Sequence, residues 1–396
     1  MKKTLLSLVI IAAMLMTSVG SVFAASSEEA LELPNLKIIV DGKQVKCENI
    51  PILVQSNTLL PLREMAAILG VPNDDEHIIY NNSDKSVTIL NGQTKIVVYI
   101  GKLEAYVNDE PYMLKVAPII YGKGYTYIPF RFIAEALGKK VLWDGSASAI
   151  LICDTDKFDN IKTILTKSNE ASEKAYKYKI SMDVDMDMYS ELISTKVGMA
   201  INSAIDITDK KMDMQLVMDM LGMQIKTQYY YADNAVYIQD PFTQEWVKTV
   251  YPPNEYEMAL KQQSNYEMMQ FEDTICAGLN QIESTDENEI LLKGDVFLTD
   301  FYNSIMNQQS LGDEQETDQE TIMEACTIEM AFDKNTYLVK SMLMTMKLTQ
   351  TEDNEDVTMD VVVNLTYSDY NGDFEIIIPE EVIESALEGE GESELQ

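Results

Sequence analysis

Two periods divide the chain. From Ile180 onward Ile180, Met182, Val184, Met186 and Met188 alternate with Ser181, Asp183, Asp185 and Asp187, the pattern of a strand with one apolar and one acidic face. The alternation returns at Met212, Met214, Leu216, Met218 and Met220, at Met342, Met344, Met346 and Leu348, and at Met359, Val361, Val363, Leu365 and Tyr367. Several strands therefore turn methionine to one side, which predicts an antiparallel sheet with one wet face. Just before them, Phe158, Ile161, Ile164, Leu165 and Ser168 fall at helical spacing, predicting a helix that runs to about Tyr176. Short strands are expected at Tyr229–Tyr231, Val236–Ile238 and Trp246–Val247, then a mainly helical segment from about Asn254 to Ile282.

The first third reads as hairpins. Leu36–Val40 and Gln44–Cys47 flank Asp41-Gly42, and Asn91-Gly92 and Asn108-Asp109 separate further apolar runs; such dipeptides supply the positive φ angles of tight turns. One stretch occurs twice, LLPLREMAAILG at 59–70 and YIPFRFIAEALG at 127–138, so that Pro61, Arg63 and Gly70 recur as Pro129, Arg131 and Gly138. A repeat marks one supersecondary unit that cannot bury its apolar face alone. In each copy a strand should stop at proline, which has no amide hydrogen for the ladder, and a short helix should follow, closed by glycine in a left-handed cap. Arg63 and Arg131 could clamp a carboxylate or wall phosphate; their shared place at the strand-to-helix turn favours internal pairing.

Lys2 and Lys3, the apolar run Leu5–Leu15 and Val22-Phe23-Ala24 have the three parts of a secretory signal peptide, with cleavage expected after Ala24. A linker over 25–35, a first domain over 36–154 and a second over 157–380 follow, with an acidic tail over 381–396; the second half is expected to fold without residues 36–154. With 65 acidic against 30 basic residues the formal charge is −35, which disfavours nucleic acid and anionic lipid as partners. Cys47, Cys153, Cys276 and Cys326 are an even set for an exported chain; the pairing that respects the domains is Cys47 with Cys153 and Cys276 with Cys326, though the sequence allows three connectivities. Leu311–Thr321 is an acidic stretch without apolar content after its first residue, expected to be mobile.

Chemistry is limited by what is missing. His77 is the one histidine, so no ordinary base serves a serine or cysteine nucleophile, and no cofactor site is expected. Asp183-x-Asp185-x-Asp187 starts like a calcium loop, but Met188 stands where glycine is needed and Ser194 where glutamate is needed. Methionine can hold copper(I) through its thioether, yet these methionines alternate toward an interior. A carboxylate-based wall glycan hydrolase is the enzyme-class alternative.

The doubled motif, followed by Val141-Leu142-Trp143-Asp144 and the run Ala149–Cys153, resembles the copper amine oxidase-like N-terminal domain of secreted Gram-positive proteins. That resemblance implies an appended stalk attached to a cell-surface or cell-wall component; a single imidazole cannot build a copper amine oxidase centre. One helix followed by long antiparallel strands with a helical insertion, over 157–378, resembles the open half-barrel of bacterial lipoprotein carriers. It implies a curved sheet that holds an acyl chain or small hydrophobic ligand. The expected fold class is α+β. The expected function is a secreted, non-catalytic surface protein with a hydrophobic ligand on a concavity of Met182, Met186, Met214, Met218, Met344 and Met346. Methionine, flexible and polarizable, suits that task. A purely structural or adhesive protein, its core filled by its own side chains, stays open.

Overall fold

The computed structural model describes residues 30–145, 147–190, 194–264, 273–296, 321–352 and 355–389. The expected signal peptide, most of the acidic stretch after Leu311 and the end of the tail lie outside the described residues. Contacts divide the α+β chain into two compact units, Met1–Pro34 with Cys47–Phe132, and Asn35–Lys46 with Ile133–Gln396.

In the first unit the two repeats meet through their own motif strands. Asn57–Pro61 and Tyr125–Pro129 pair antiparallel with Leu59 opposite Pro129, Leu60 opposite Ile128 and Pro61 opposite Tyr127. Ile52–Val54 and Ile119–Tyr121 flank them in one five-stranded sheet, and the hairpins between Ile78 and Met113 form a second. Pro61 and Pro129 end their strands, and helices Leu62–Ile68 and Phe130–Ala136 start at the next residue. The first helix stops in a complete left-handed cap: Gly70 has φ 79° and donates to Ala67 O at 3.1 Å, while Val71 donates to Ala66 O at 2.8 Å. Gly138, at φ 76°, donates to Glu135 O at 3.0 Å.

The second unit begins with a hairpin from far upstream. Lys37–Val40 pairs parallel with Ala149–Asp154, and Lys43–Val45 and Lys139–Asp144 complete a four-stranded sheet. Asp41, at the hairpin turn, lies 3.6 Å from Lys139 Nζ and 3.7 Å from Lys157 Nζ. Asp295 ties the turn to the large sheet: its amide donates to Gly42 O at 2.9 Å and its carboxylate accepts from the Gln44 amide at 3.1 Å. Asn280 Nδ2 adds a bond to Asp41 O.

Among the described residues the large sheet has twelve strands. Its centre is Thr321–Asp333, Val339–Glu352, Glu355–Ser368, Lys177–Tyr189, Ser194–Asp206, Lys211–Met220 and Met223–Ala232, all antiparallel. Helix Thr155–Ser172 buries Phe158, Ile161, Ile164, Leu165 and Ser168, the five residues whose spacing predicted it. It ends four residues short of Tyr176 because Lys177 already belongs to the sheet. Of the expected helical segment, Pro253–Ser264 and Asp273–Gly278 are helices, whereas Asn280–Ile282 is an edge strand against Leu291–Lys293. An edge partner offering unpaired backbone groups overrides a weak helical pattern there.

Candidate functional site

Directly opposed residues of antiparallel strands share a face, so register converts the methionine alternation into rows. One row reads Met330, Met342, Leu365, Met182, Ile201 and Leu216; the next reads Ile328, Met344, Val363, Val184, Met199, Met218 and Ile225. A third reads Cys326, Met346, Val361, Met186, Val197, Met220 and Met223, and Met214 stands in line with Ser203 and Ile180. Met182, Met186, Met214, Met218, Met344 and Met346 therefore occupy one face, with Asp183, Asp185 and Asp187 on the other.

Burial along this face is graded. Beneath the helices it is a filled core: Phe158, Ile161, Ile164 and Leu165 from the long helix, Tyr256 and Leu260 from the second, and Ile275 to Ala277 from the third join Met182 and Met344, which are 7% and 8% exposed. Toward the end of the sheet where Met220 turns back to Met223 the same face opens. Val184, Met186, Met188, Val197, Met199, Leu216, Met218 and Ile225 are all half-buried. An apolar face that continues past its own cover is where a guest can be received without first displacing core side chains.

Ser168 Oγ, Asn169 Oδ1 and Ser172 Oγ, near the end of the long helix, are buried with no hydrogen-bond partner among the described residues. That helix end leads into Lys177, at the other end of the strand Lys177–Tyr189 from Met186. A separate cavity of about 350 Å³ is lined by Lys167, Glu170, Ala171, Lys174, Thr336, Tyr337 and Leu338; none of the six methionines borders it.

On the opposite face Lys179 pairs with Asp369 at 2.6 Å and Lys196 with Asp187 at 2.8 Å. Asp213 differs: burial pushes its carboxyl above the usual range, against a hydrogen bond from Gln228 Nε2. The cause is a small second core beneath helix Glu380–Ser385, where Ala235, Tyr237 and Val382 pack with Tyr230 and Trp246.

All four cysteines are free thiols, so neither expected disulfide is formed. Cys153, Cys276 and Cys326 are each packed into the apolar core on separate elements, and burial pushes their thiols to about 11, 11 and 12. Cys47 is likewise raised to about 11, by burial and by the Glu64 carboxylate beside it. None is a thiolate nucleophile at neutral pH. Glu64 is a residue that sequence reasoning passed over: its carboxylate accepts from the amides of Glu48 at 2.8 Å and Asn49 at 3.3 Å. Arg63 bonds Asn73 at 2.9 Å and Asp75 at 3.0 Å in the loop after its helix, and both ends of that ion pair are solvent-exposed. Arg131 is exposed, with no ion pair among the described residues. His77 Nδ1 lies 2.8 Å from Asp74, whose carboxyl that contact lowers. Among the described residues no group of three or more His, Cys, Asp or Glu could hold a metal, and no helix is long and apolar enough to cross a membrane.

No curated protein matches the chain. Among solved structures it is similar to LprF from Mycobacterium bovis, at 10% identity and TM-score 0.31, covering 56% of this chain and 97% of that one. The Mycobacterium tuberculosis lipoprotein LppX follows at 9% identity and TM-score 0.28, covering 55% and 99%. A putative outer membrane lipoprotein-sorting protein domain from Vibrio parahaemolyticus is similar at 9% and 0.17, covering 55% and 95%. Similarities this weak carry no argument about a ligand. Residues 39–152 match the copper amine oxidase N-terminal domain family, as the doubled proline–arginine motif implied. Over residues 160–387, more than half its length, the chain matches and belongs to the family of unknown function DUF6612.

Proposed function

We propose that this chain is a secreted, non-catalytic binding protein of the cell surface, whose large sheet takes an amphiphile with an acyl or similarly apolar chain onto its methionine face. The repeated N-terminal domain serves as the stalk that meets a wall or surface component. One observation carries the reading: among the described residues the apolar face extends beyond its covering helices, leaving the stretch around Met186, Met199 and Met218 half-buried. Against catalysis stand a single, exposed-loop histidine and thiols raised by burial.

Uptake of a fluorescent fatty acid tests this. The wild-type chain should bind the probe saturably, and Met218→Asp or Met186→Asp should weaken binding at least tenfold with little loss in the urea midpoint, because both positions are half-exposed. Absence of uptake by wild type, or equal uptake by both variants, would return the sheet to a purely structural role.

A further inference from the structure

Among the described residues, two-residue hairpin turns with positive φ at both positions are built from Asn, Asp and Gly, with two exceptions: the polar Gln55-Ser56, at 49° and 57°, and one that carries an apolar residue. Asp41-Gly42, Asn108-Asp109 and Asp233-Asn234 hold positive φ at both positions, at 48° and 75°, 52° and 68°, and 54° and 59°. Asn, Asp and Gly are the residues that tolerate this geometry. Leu221-Gly222 adopts the same angles, 55° and 79°, with leucine in the first position. A branched apolar side chain is disfavoured there, and packing does not compensate it. Leu221 is 73% exposed, flanked by Met223 at 62% and Met220 at 39%. The tip between the strands Lys211–Met220 and Met223–Ala232 thus gives up both the favoured turn residue and the burial of its apolar groups.

The tip continues the methionine face. Met220 lies opposite Val197 and Met223, and Met218 lies opposite Met199 and Ile225, so the exposed groups are the outermost row of the half-covered surface. A four-residue tip is far smaller than the roughly 800 Å² per partner of a specific protein interface. A bilayer needs no such complementary surface, since its interior accepts separate apolar side chains. The flanking residues, Asp219 and Gln224, include no cation to meet anionic headgroups, and the chain carries a formal charge of −35.

We propose that the Met220–Met223 tip inserts into a neutral or zwitterionic lipid surface, placing the open end of the methionine face against the bilayer from which its guest is taken or to which it is given. This rests on the reading of that face as an amphiphile site.

Flotation of the full chain with phosphatidylcholine vesicles tests it, alongside fatty acid probe uptake without vesicles. The variant is Leu221→Asn, at a turn position outside the rows of the methionine face, and its asparagine suits the turn, so the fold should melt no lower than wild type. Wild type should float with vesicles and the variant should bind them roughly tenfold or more weakly, as loss of a buried Leu implies, with probe uptake unchanged. If wild type takes the probe but does not float, or the variant floats equally, the tip proposal is overturned while the binding reading stands. If wild type takes no probe, the binding reading itself falls. Concentration-dependent dimerisation lost in the variant would overturn the proposal in favour of a second copy as occupant.

Discussion

Gly294→Ala should be far more damaging than its one added carbon suggests. Gly294 lies in the strand Glu289–Asp295 where it crosses the end of the helix Asp273–Gly278. A Cβ there would overlap the Gly278 carbonyl oxygen, stand 2.9 Å from its carbon and 3.1 Å from the Leu279 Cα, against about 3.5–4.0 Å for a comfortable carbon contact. Every one of these atoms is backbone, so no rotamer change relieves the overlap and strand or helix end must move. Overpacking of this kind costs about 1–3 kcal/mol. The next residue, Asp295, holds the upstream hairpin through Gly42 O at 2.9 Å and the Gln44 amide at 3.1 Å, and weakening two such bonds adds about 1 kcal/mol each. The total, ~3–5 kcal/mol, is a large part of the ~5–15 kcal/mol of a whole domain. Urea unfolding followed by tryptophan fluorescence reads it, since both tryptophans, Trp143 and Trp246, belong to the second unit. Gly198→Ala is the control: its Cβ would meet only Asp219 Cβ at 3.8 Å and Asp185 Oδ1 at 3.9 Å, so stability should change by less than about 0.5 kcal/mol. If Gly294→Ala is as stable as the control, the backbone approach is looser than described and the reasoning fails.

The other expectations concern charge and chain division. The folded state raises the Asp213 pKa by burial; ionisation above the ordinary carboxylate value therefore costs stability, and below that value both states are protonated and the cost vanishes. Asp213→Asn, which keeps an acceptor for Gln228, should raise the urea midpoint at pH 7 and lose that gain by about pH 4; a gain that persists in acid would point to packing. A chain starting at residue 157 lacks Gly42, Gln44 and the strand Ala149–Asp154, all integral to the second unit, and should not melt cooperatively, contrary to what the separate patterning of the halves suggests. A sharp urea transition for that fragment would show the hairpin to be dispensable.

Alternation legibly fixed which side of each strand the methionines take, because a period of two leaves no choice of face. The long helix was equally legible from five residues. Partners were not: period says that Lys37–Val40 is buried, not that it runs parallel to Ala149–Asp154 more than a hundred residues later. Nor could it show that, among the described residues, the methionine face outruns its cover, which depends on where helices from distant segments come to rest. Glu64 escaped for a different reason. Its counterpart in the second repeat is Phe132, whose ring lies tilted against Tyr112 at 4.6 Å between ring centres, so a comparison of what the copies share discards the carboxylate that secures Glu48 and Asn49.

The pairing of the repeats has a meaning for ancestry. Leu60 faces Ile128, its own counterpart 68 positions on, with Leu59 opposite Pro129 and Pro61 opposite Tyr127, so a local two-fold axis passes through that pair. A single ancestral copy of this module would have met a second by isologous strand exchange, as a homodimer in which Leu60 touched Leu60. Fusion into one chain turns a concentration-dependent association into an intramolecular one. It also frees the halves to diverge, so that one copy gained a glutamate and the other a phenylalanine at the same place without either change being forced on both.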